Sequence, residues 1–136
     1  MNYSLEFPYR SAYKSHTYIT LPIVLLSDPS RSVDVIASVD TGSTFSIFER
    51  SYGEALELNV ESGSRERIAT ATGYFYCYGH ELTLSVFDLE WQAVVYFADS
   101  EVFWKNVVGR VGFLDRLKVG IVDYEQLLYL GLYDDL

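Results

Sequence analysis

At 136 residues, the chain has the length of one compact domain spanning 1–136, enough to bury a core but with little room for a second. A hydrophobic share of 49%, with 12 Tyr and 8 Phe, argues against disorder and suits a β-rich fold. The formal charge of -9, from 19 acidic and 10 basic residues, disfavours a nucleic-acid partner, because phosphate contacts need clustered Lys and Arg.

Cys77 is the only cysteine, so no intrachain disulfide can form and an extracellular disulfide framework is not expected. One Cys and two His are too few soft ligands for a structural zinc, and no metal or other cofactor is expected. No stretch approaches the roughly 20 apolar residues of a membrane span. The start, "MNYSLEFPYR", lacks the basic and apolar regions of a signal peptide. The expectation is a cytoplasmic protein with no membrane partner.

In chain order, "TYITLPIVLL" reads as an early strand, with Pro22 hinting at an edge or bulge, and "SDPS" at 27–30 as a turn. Val33, Val35, Ala37 and Val39 then alternate with Asp34, Ile36, Ser38 and Asp40, which predicts a strand with one apolar face and Asp40 at its far end. "TGS" at 41–43 signals a turn. "ERSYGEALEL", 49–58, spaces Tyr52, Ala55 and Leu56 for a short helix, weakened by Gly53. "ESGS" at 61–64 is a turn signal, and "SRERIA", with Arg65 and Arg67 split by Glu66, reads as a solvated loop. "GYFYCYGHELTLSVFDLEWQAVVYFAD" reads as two or three antiparallel strands, with "TG" at 72–73 and "YGH" at 78–80 as turn signals. "GRVGFLDRLKV" places Phe113, Leu114 and Leu117 on one helical face, and "VGIVDYEQLLYL" returns to strand character. The sum is an all-β fold with one or two short helices.

Asp40 poses the functional question, because a carboxylate closes an otherwise apolar strand. It is either a turn residue or an acid/base group, and the second role needs another carboxylate beside it. "VDTGST", Val39 to Thr44, resembles the Asp-Thr-Gly signature of aspartic proteases. "NVVGRVGFLDRLKV", Asn106 to Val119, is similar to the second half of the retropepsin-like, single-domain members. Between them lies "RIATATGYFYCYGHELTLSV", where those proteins carry a flap. The opening "LEFPYR", a strand and "DTGSTFSIF" are especially similar to small prokaryotic retropepsin-like proteins.

The resemblance covers about Leu5 to Leu130 and implies a closed, mainly antiparallel β-barrel with aspartic endopeptidase activity on a protein or peptide. The chain holds one Asp-Thr-Gly, so a dyad would require a homodimer, with the monomer inactive. By resemblance Asp40 is catalytic, Thr41 bonds across the dimer, Gly42 gives its amide to the carboxylates and Ser43 offers its hydroxyl to the outer oxygen of Asp40. Val107, Val108 and Gly109 would pack beneath the catalytic loop. Arg110 would buttress the interface or that loop; in several retroviral proteases the matching Arg pairs with an Asp, but Thr44 stands at that position here. Thr70, Ala71, Thr72, Gly73 and Tyr74 would form the flap tip, with strand packing a competing role for Tyr74. In retroviral members the chain termini make the dimer sheet, which points to the run after Val119.

His16 and His80 read as surface or hairpin residues and Cys77 as buried packing. No G-x-S-x-G elbow or glycine-rich phosphate loop is present. Two alternatives stay open: a catalytically silent retropepsin-like domain that binds peptides or dimerises, and an unrelated ligand-binding barrel that would be monomeric.

Overall fold

The computed structural model describes residues 2–103 and 105–133. Ten strands, β1 (Tyr9–Ala12), β2 (Thr20–Asp28), β3 (Arg31–Val39), β4 (Ile47–Phe48), β5 (Ser64–Thr70), β6 (Gly73–Val86), β7 (Leu89–Ala98), β8 (Val107–Val108), β9 (Leu117–Val122) and β10 (Leu127–Leu132), accompany one helix, α1 (Arg50–Ala55). Short 3-10 turns occupy Val60–Ser62, Leu114–Arg116 and Asp123–Glu125.

Alternation drives the strands. Leu21, Ile23 and Leu25 of β2 and Val35 and Ala37 of β3 point inward, while Asp34 and Ile36 stay exposed. In the long β6–β7 hairpin the inward pairs are Leu82 with Ala93, Leu84 with Trp91 and Val86 with Leu89. The β2–β3 turn is fixed by Asp28, which accepts from the Ser30 amide at 2.7 Å and hydroxyl at 2.6 Å. Those two bonds, ahead of Arg31, hold the Asp28 carboxyl below its ordinary range.

The larger sheet runs β2-β3-β8-β4-β7-β6-β5, and β6 also pairs with β2 at Val24–Leu26, which closes a barrel. Most pairings are antiparallel; β3–β8 and β4–β7 are parallel. Pro22 lies ahead of the β2–β6 pairing, where β2 has β3 alone beside it. Side chains including Phe48, Phe97, Phe113, Leu21, Ile23, Leu25 and Leu84 fill the interior, each stabilising by about 1.5–3 kcal/mol. The smaller sheet, β1-β10-β9, packs Leu128 and Leu130 into the same core.

Several expectations need correction. The segment 64–70 is strand β5, not a loop, and "YGH" lies inside β6 rather than at a turn. Helix α1 is shorter than 49–58 and buries Gly53 instead of Ala55, which is exposed. A Cβ at Gly53 would meet the Phe97 ring at 3.0 Å, so glycine lets the helix lie close to the barrel. The expected helix near 109–119 is only the 3-10 turn Leu114–Arg116, because Gly112 adopts φ +87 and Leu117 already opens β9. The run after Val119 divides into parts of two strands. Of these, β10 lies between β1, which pairs Leu127–Leu130, and β9; the end of the run, 134–136, lies outside the described residues.

Candidate active site

Strand β3 delivers Asp40 to a loop, 40–46, whose first residues, Asp40, Thr41 and Gly42, are exposed, and β8 threads between the strands on either side of that loop. It runs parallel to β3, with Ser38 opposite Val107, and antiparallel to β4, with Ile47 opposite Val107. The Asp40 amide donates to the Val108 carbonyl at 2.9 Å, which ties the base of the loop to β8.

Within the loop, the Gly42 amide donates to Asp40 Oδ1 at 2.9 Å, and the Ser43 amide to the Asp40 carbonyl at 3.2 Å. A Cβ on Gly42 would lie 3.3 Å from Asp40 Oδ1, a close approach that favours glycine. The Ser43 hydroxyl differs from expectation: it donates to the Phe45 carbonyl at 2.7 Å, bracing the loop rather than Asp40.

The crossing segment grips the loop from below. The amides of Arg110 and Val111 donate to the carbonyls of Ser43 and Thr44, each at 2.8 Å. A Cβ on Gly109 would come within 2.4 Å of the Ser43 carbonyl oxygen and 2.6 Å of that of Phe45, so only glycine fits. Val108 is fully buried against the core.

Two contributors escaped the sequence reading. Ser46 is fully buried; its hydroxyl accepts the Gly109 amide at 3.1 Å and donates to the Val111 carbonyl at 3.1 Å. Its one signal was a polar residue inside the apolar run "FSIF". Asn106 accepts the Glu49 amide at 2.9 Å and donates to the Glu49 carboxylate at 3.0 Å, which fixes the entry to β8.

Two clefts adjoin the loop. Asp40 borders one with Tyr18, Ile19, Lys105 and Asn106. Thr41, itself exposed, borders the other with Thr44, Arg110, Val111, Leu114 and Asp115.

The expected flap region is a β5–β6 hairpin, closed by the Thr70–Gly73 pair around Ala71 and Thr72. Its tip lines a third cleft of about 830 Å³ with Phe103 and Lys105. This cleft does not reach Asp40, although Lys105 borders both. Ile68 and Phe75, on one face, pack with Phe103 over Ile47, Cys77 and Tyr96. The opposite face is solvated, with Arg65 lying 4.5 Å over the Tyr76 ring and Arg67 5.0 Å over Tyr74. Tyr74 is exposed in this ladder rather than packed in the core.

Cys77 is fully buried, and burial, helped by Glu66 and Asp99, pushes its thiol up to about 12. His80 bonds the Val60 carbonyl at 2.8 Å, away from Asp40. Among the described residues no group of His, Cys, Asp and Glu is placed to hold a metal ion, and no helix is long and apolar enough to cross a membrane.

No protein-family model and no curated protein matches the chain. Solved structures do match. A retropepsin-like aspartic protease from Rickettsia conorii superposes with a TM-score of 0.67 at 16% identity, covering 90% of this chain and 97% of that one. The EIAV protease, complexed with the inhibitor HBY-793, gives a TM-score of 0.56 at 14% identity over 74% of this chain and 88% of its own. The closed β-barrel, with β8 threaded beneath the Asp40 loop, is therefore the acid-protease fold in its retropepsin-like form.

Proposed function

We propose that residues 1–136 act as one aspartic endopeptidase domain, working as a homodimer in which Asp40 of each subunit supplies half of a catalytic dyad. The observation that carries this reading is the bracing of the Asp40 loop. Backbone bonds from Asp40, Arg110 and Val111 join it to the β8 segment, and its carboxylate stays exposed and held by the Gly42 amide.

Two carboxylates about 3 Å apart share one proton, the established behaviour of aspartic-protease dyads. The ionised member takes a proton from a water as its oxygen attacks the peptide carbonyl carbon. The protonated member donates to the carbonyl oxygen. The tetrahedral intermediate then collapses, and the amine leaves with a proton from the dyad. In this reading Thr41, exposed beside Asp40, meets the partner loop across the dimer. The substrate would lie extended beneath the flaps, pairing its main chain strand-wise, with alternate side chains read by subsites. Ile47, Phe75, Phe103 and Val107 belong to the apolar cluster between barrel and flap, which favours apolar or aromatic residues about the scissile bond.

The catalytically silent reading is favoured by a separate observation. The Phe75 and Phe103 rings sit 4.9 Å apart, a packed contact between flap and barrel that a substrate would have to displace. Digestion of a diverse peptide mixture from about pH 3 to 8, comparing wild type with Asp40→Ala, separates the two. Cleavage by wild type alone supports the enzyme. A dimeric wild type that cleaves nothing supports the silent domain, and equal cleavage by both proteins removes Asp40 from the chemistry.

A further inference from the structure

We propose that Arg110 and Asp115 form a reciprocal ion pair between two copies of this chain, Arg110 of each subunit reaching Asp115 of the partner subunit beside the catalytic loops. The inference rests on the homodimeric reading above and adds how the two loops are clamped together.

Position comes first. Arg110 and Asp115 border one open cleft with Thr41 and Thr44, and Thr41 directly follows Asp40. Bringing a second Asp40 alongside the first therefore brings this cleft up to the partner surface. A two-fold contact presents the same patch from both sides, so the patch must complement itself. This one does, with one cation, one anion and an apolar floor of Leu114 and the 42% exposed Val111.

Both charges are rigidly based; among the described residues Arg110 is unpaired, and Asp115 keeps Oδ2 open beside its contact with Arg116. The Arg110 amide donates to Ser43, and its carbonyl accepts the Asp115 amide at 2.9 Å, which fixes the backbone from which the guanidinium leaves. Among the described residues Arg110 makes no ion pair, and its side chain is exposed. Asp115 Oδ1 accepts the Gly112 amide at 3.0 Å and lies 3.7 Å from Arg116 Nε; Arg116 itself donates to the Gln92 carbonyl at 2.9 Å. Oδ2 of Asp115 accepts no hydrogen bond among the described residues. Within one chain the two charges share a cleft without pairing. Among the residues lining this cleft, Asp115 carries the one carboxylate. A planar guanidinium meeting a pre-positioned carboxylate gives a directional contact that a point charge would not.

Mixing charge-reversed subunits tests the pairing across the interface. Homodimers of Arg110→Glu, or of Asp115→Arg, would have both pairs broken. A heterodimer of the two variants would have one native pair and one reversed pair. Sedimentation analysis should show each variant dimerising at least about tenfold more weakly than wild type, and the equimolar mixture recovering to within about threefold of it. Undiminished dimerisation of either variant, or a mixture no tighter than its components, overturns the proposal.

Should Asp115→Arg fail to fold, Asp115→Asn keeps an acceptor for the Gly112 amide. Mixed with Arg110→Glu it leaves one intact pair, so the heterodimer should form more tightly than either homodimer; equal affinities would overturn the proposal. A wild type that stays monomeric at all concentrations sinks the dimeric reading itself. A wild-type dimer without rescue by mixing sinks only the ion pair.

Discussion

The Asp40 loop and the β5–β6 hairpin are held by different means. The loop is fixed by backbone bonds to the β8 segment and by glycines that leave no room for a side chain. The hairpin is a two-stranded ribbon whose outer strand, β5, pairs with β6 alone, and its solvated face is held by stacked Arg and Tyr side chains. The difference teaches where precision is needed. An acid/base group, the role proposed for Asp40, tolerates little displacement, which suits backbone supports. A lid, the role proposed for the hairpin, has to yield, which suits side-chain contacts that can part and re-form.

If that contrast holds, the largest effect belongs to Gly109→Ala. Its Cβ would enter two carbonyl oxygens at 2.4 and 2.6 Å, and neither belongs to a flexible side chain. The expected cost is upwards of about 3 kcal/mol with loss of any activity, read by chemical denaturation and peptide cleavage. Ser46→Ala comes next. It strips partners from the Gly109 amide and the Val111 carbonyl, for about 1–3 kcal/mol, again by denaturation. A Ser46→Ala protein as stable as wild type would mean that the loop does not depend on this brace.

Phe103→Ala sharpens the flap side. It removes the ring packed on Phe75, so amide exchange should accelerate through β5 and the first half of β6, with the β3–β8 pairing unchanged. Exchange in the flap already as slow as in the barrel core of wild type would contradict its role as a lid. Gly73→Ala is smaller still: φ +153 disfavours a side chain, but a Cβ there meets nothing, and about 1 kcal/mol or less is expected.

The last expected effect concerns pH. Tyr13 donates to Asp123 Oδ1 at 2.5 Å, and burial first, then Asp123, raises its hydroxyl to about 12. A raised folded-state value stabilises fully below the unfolded value near 10, and the contribution is lost as pH climbs from about 10 to 12. Tyrosinate absorbance should show a component titrating late, part of which Tyr13→Phe should remove.

The same contrast explains what was legible in the sequence. Strands β2, β3, β6 and β7 bury one face in the barrel, so their alternation shows. Strand β5 stands away from the barrel and buries little, so "SRERIAT" carries no such pattern and reads as loop. Strand β8 is too short to have a period at all; its place depends on partners at Ser38 and Ile47, far away in sequence. The turn that follows Asp40 was legible from its Thr-Gly-Ser. The role of Ser43 was not, since a hydroxyl's acceptor is chosen by loop geometry, here the Phe45 carbonyl. Ser46 and Asn106 act through backbone groups of distant segments, which no local pattern encodes.

The most direct test of a shared dyad is to titrate a fixed amount of wild type with Asp40→Asn subunits and follow peptide cleavage. If each active unit needs Asp40 from two chains, an equal amount of the variant should draw wild-type subunits into dead heterodimers and lower the rate to about half. A rate unchanged by the variant, with subunit exchange verified, would mean that one Asp40 suffices and would contradict the account.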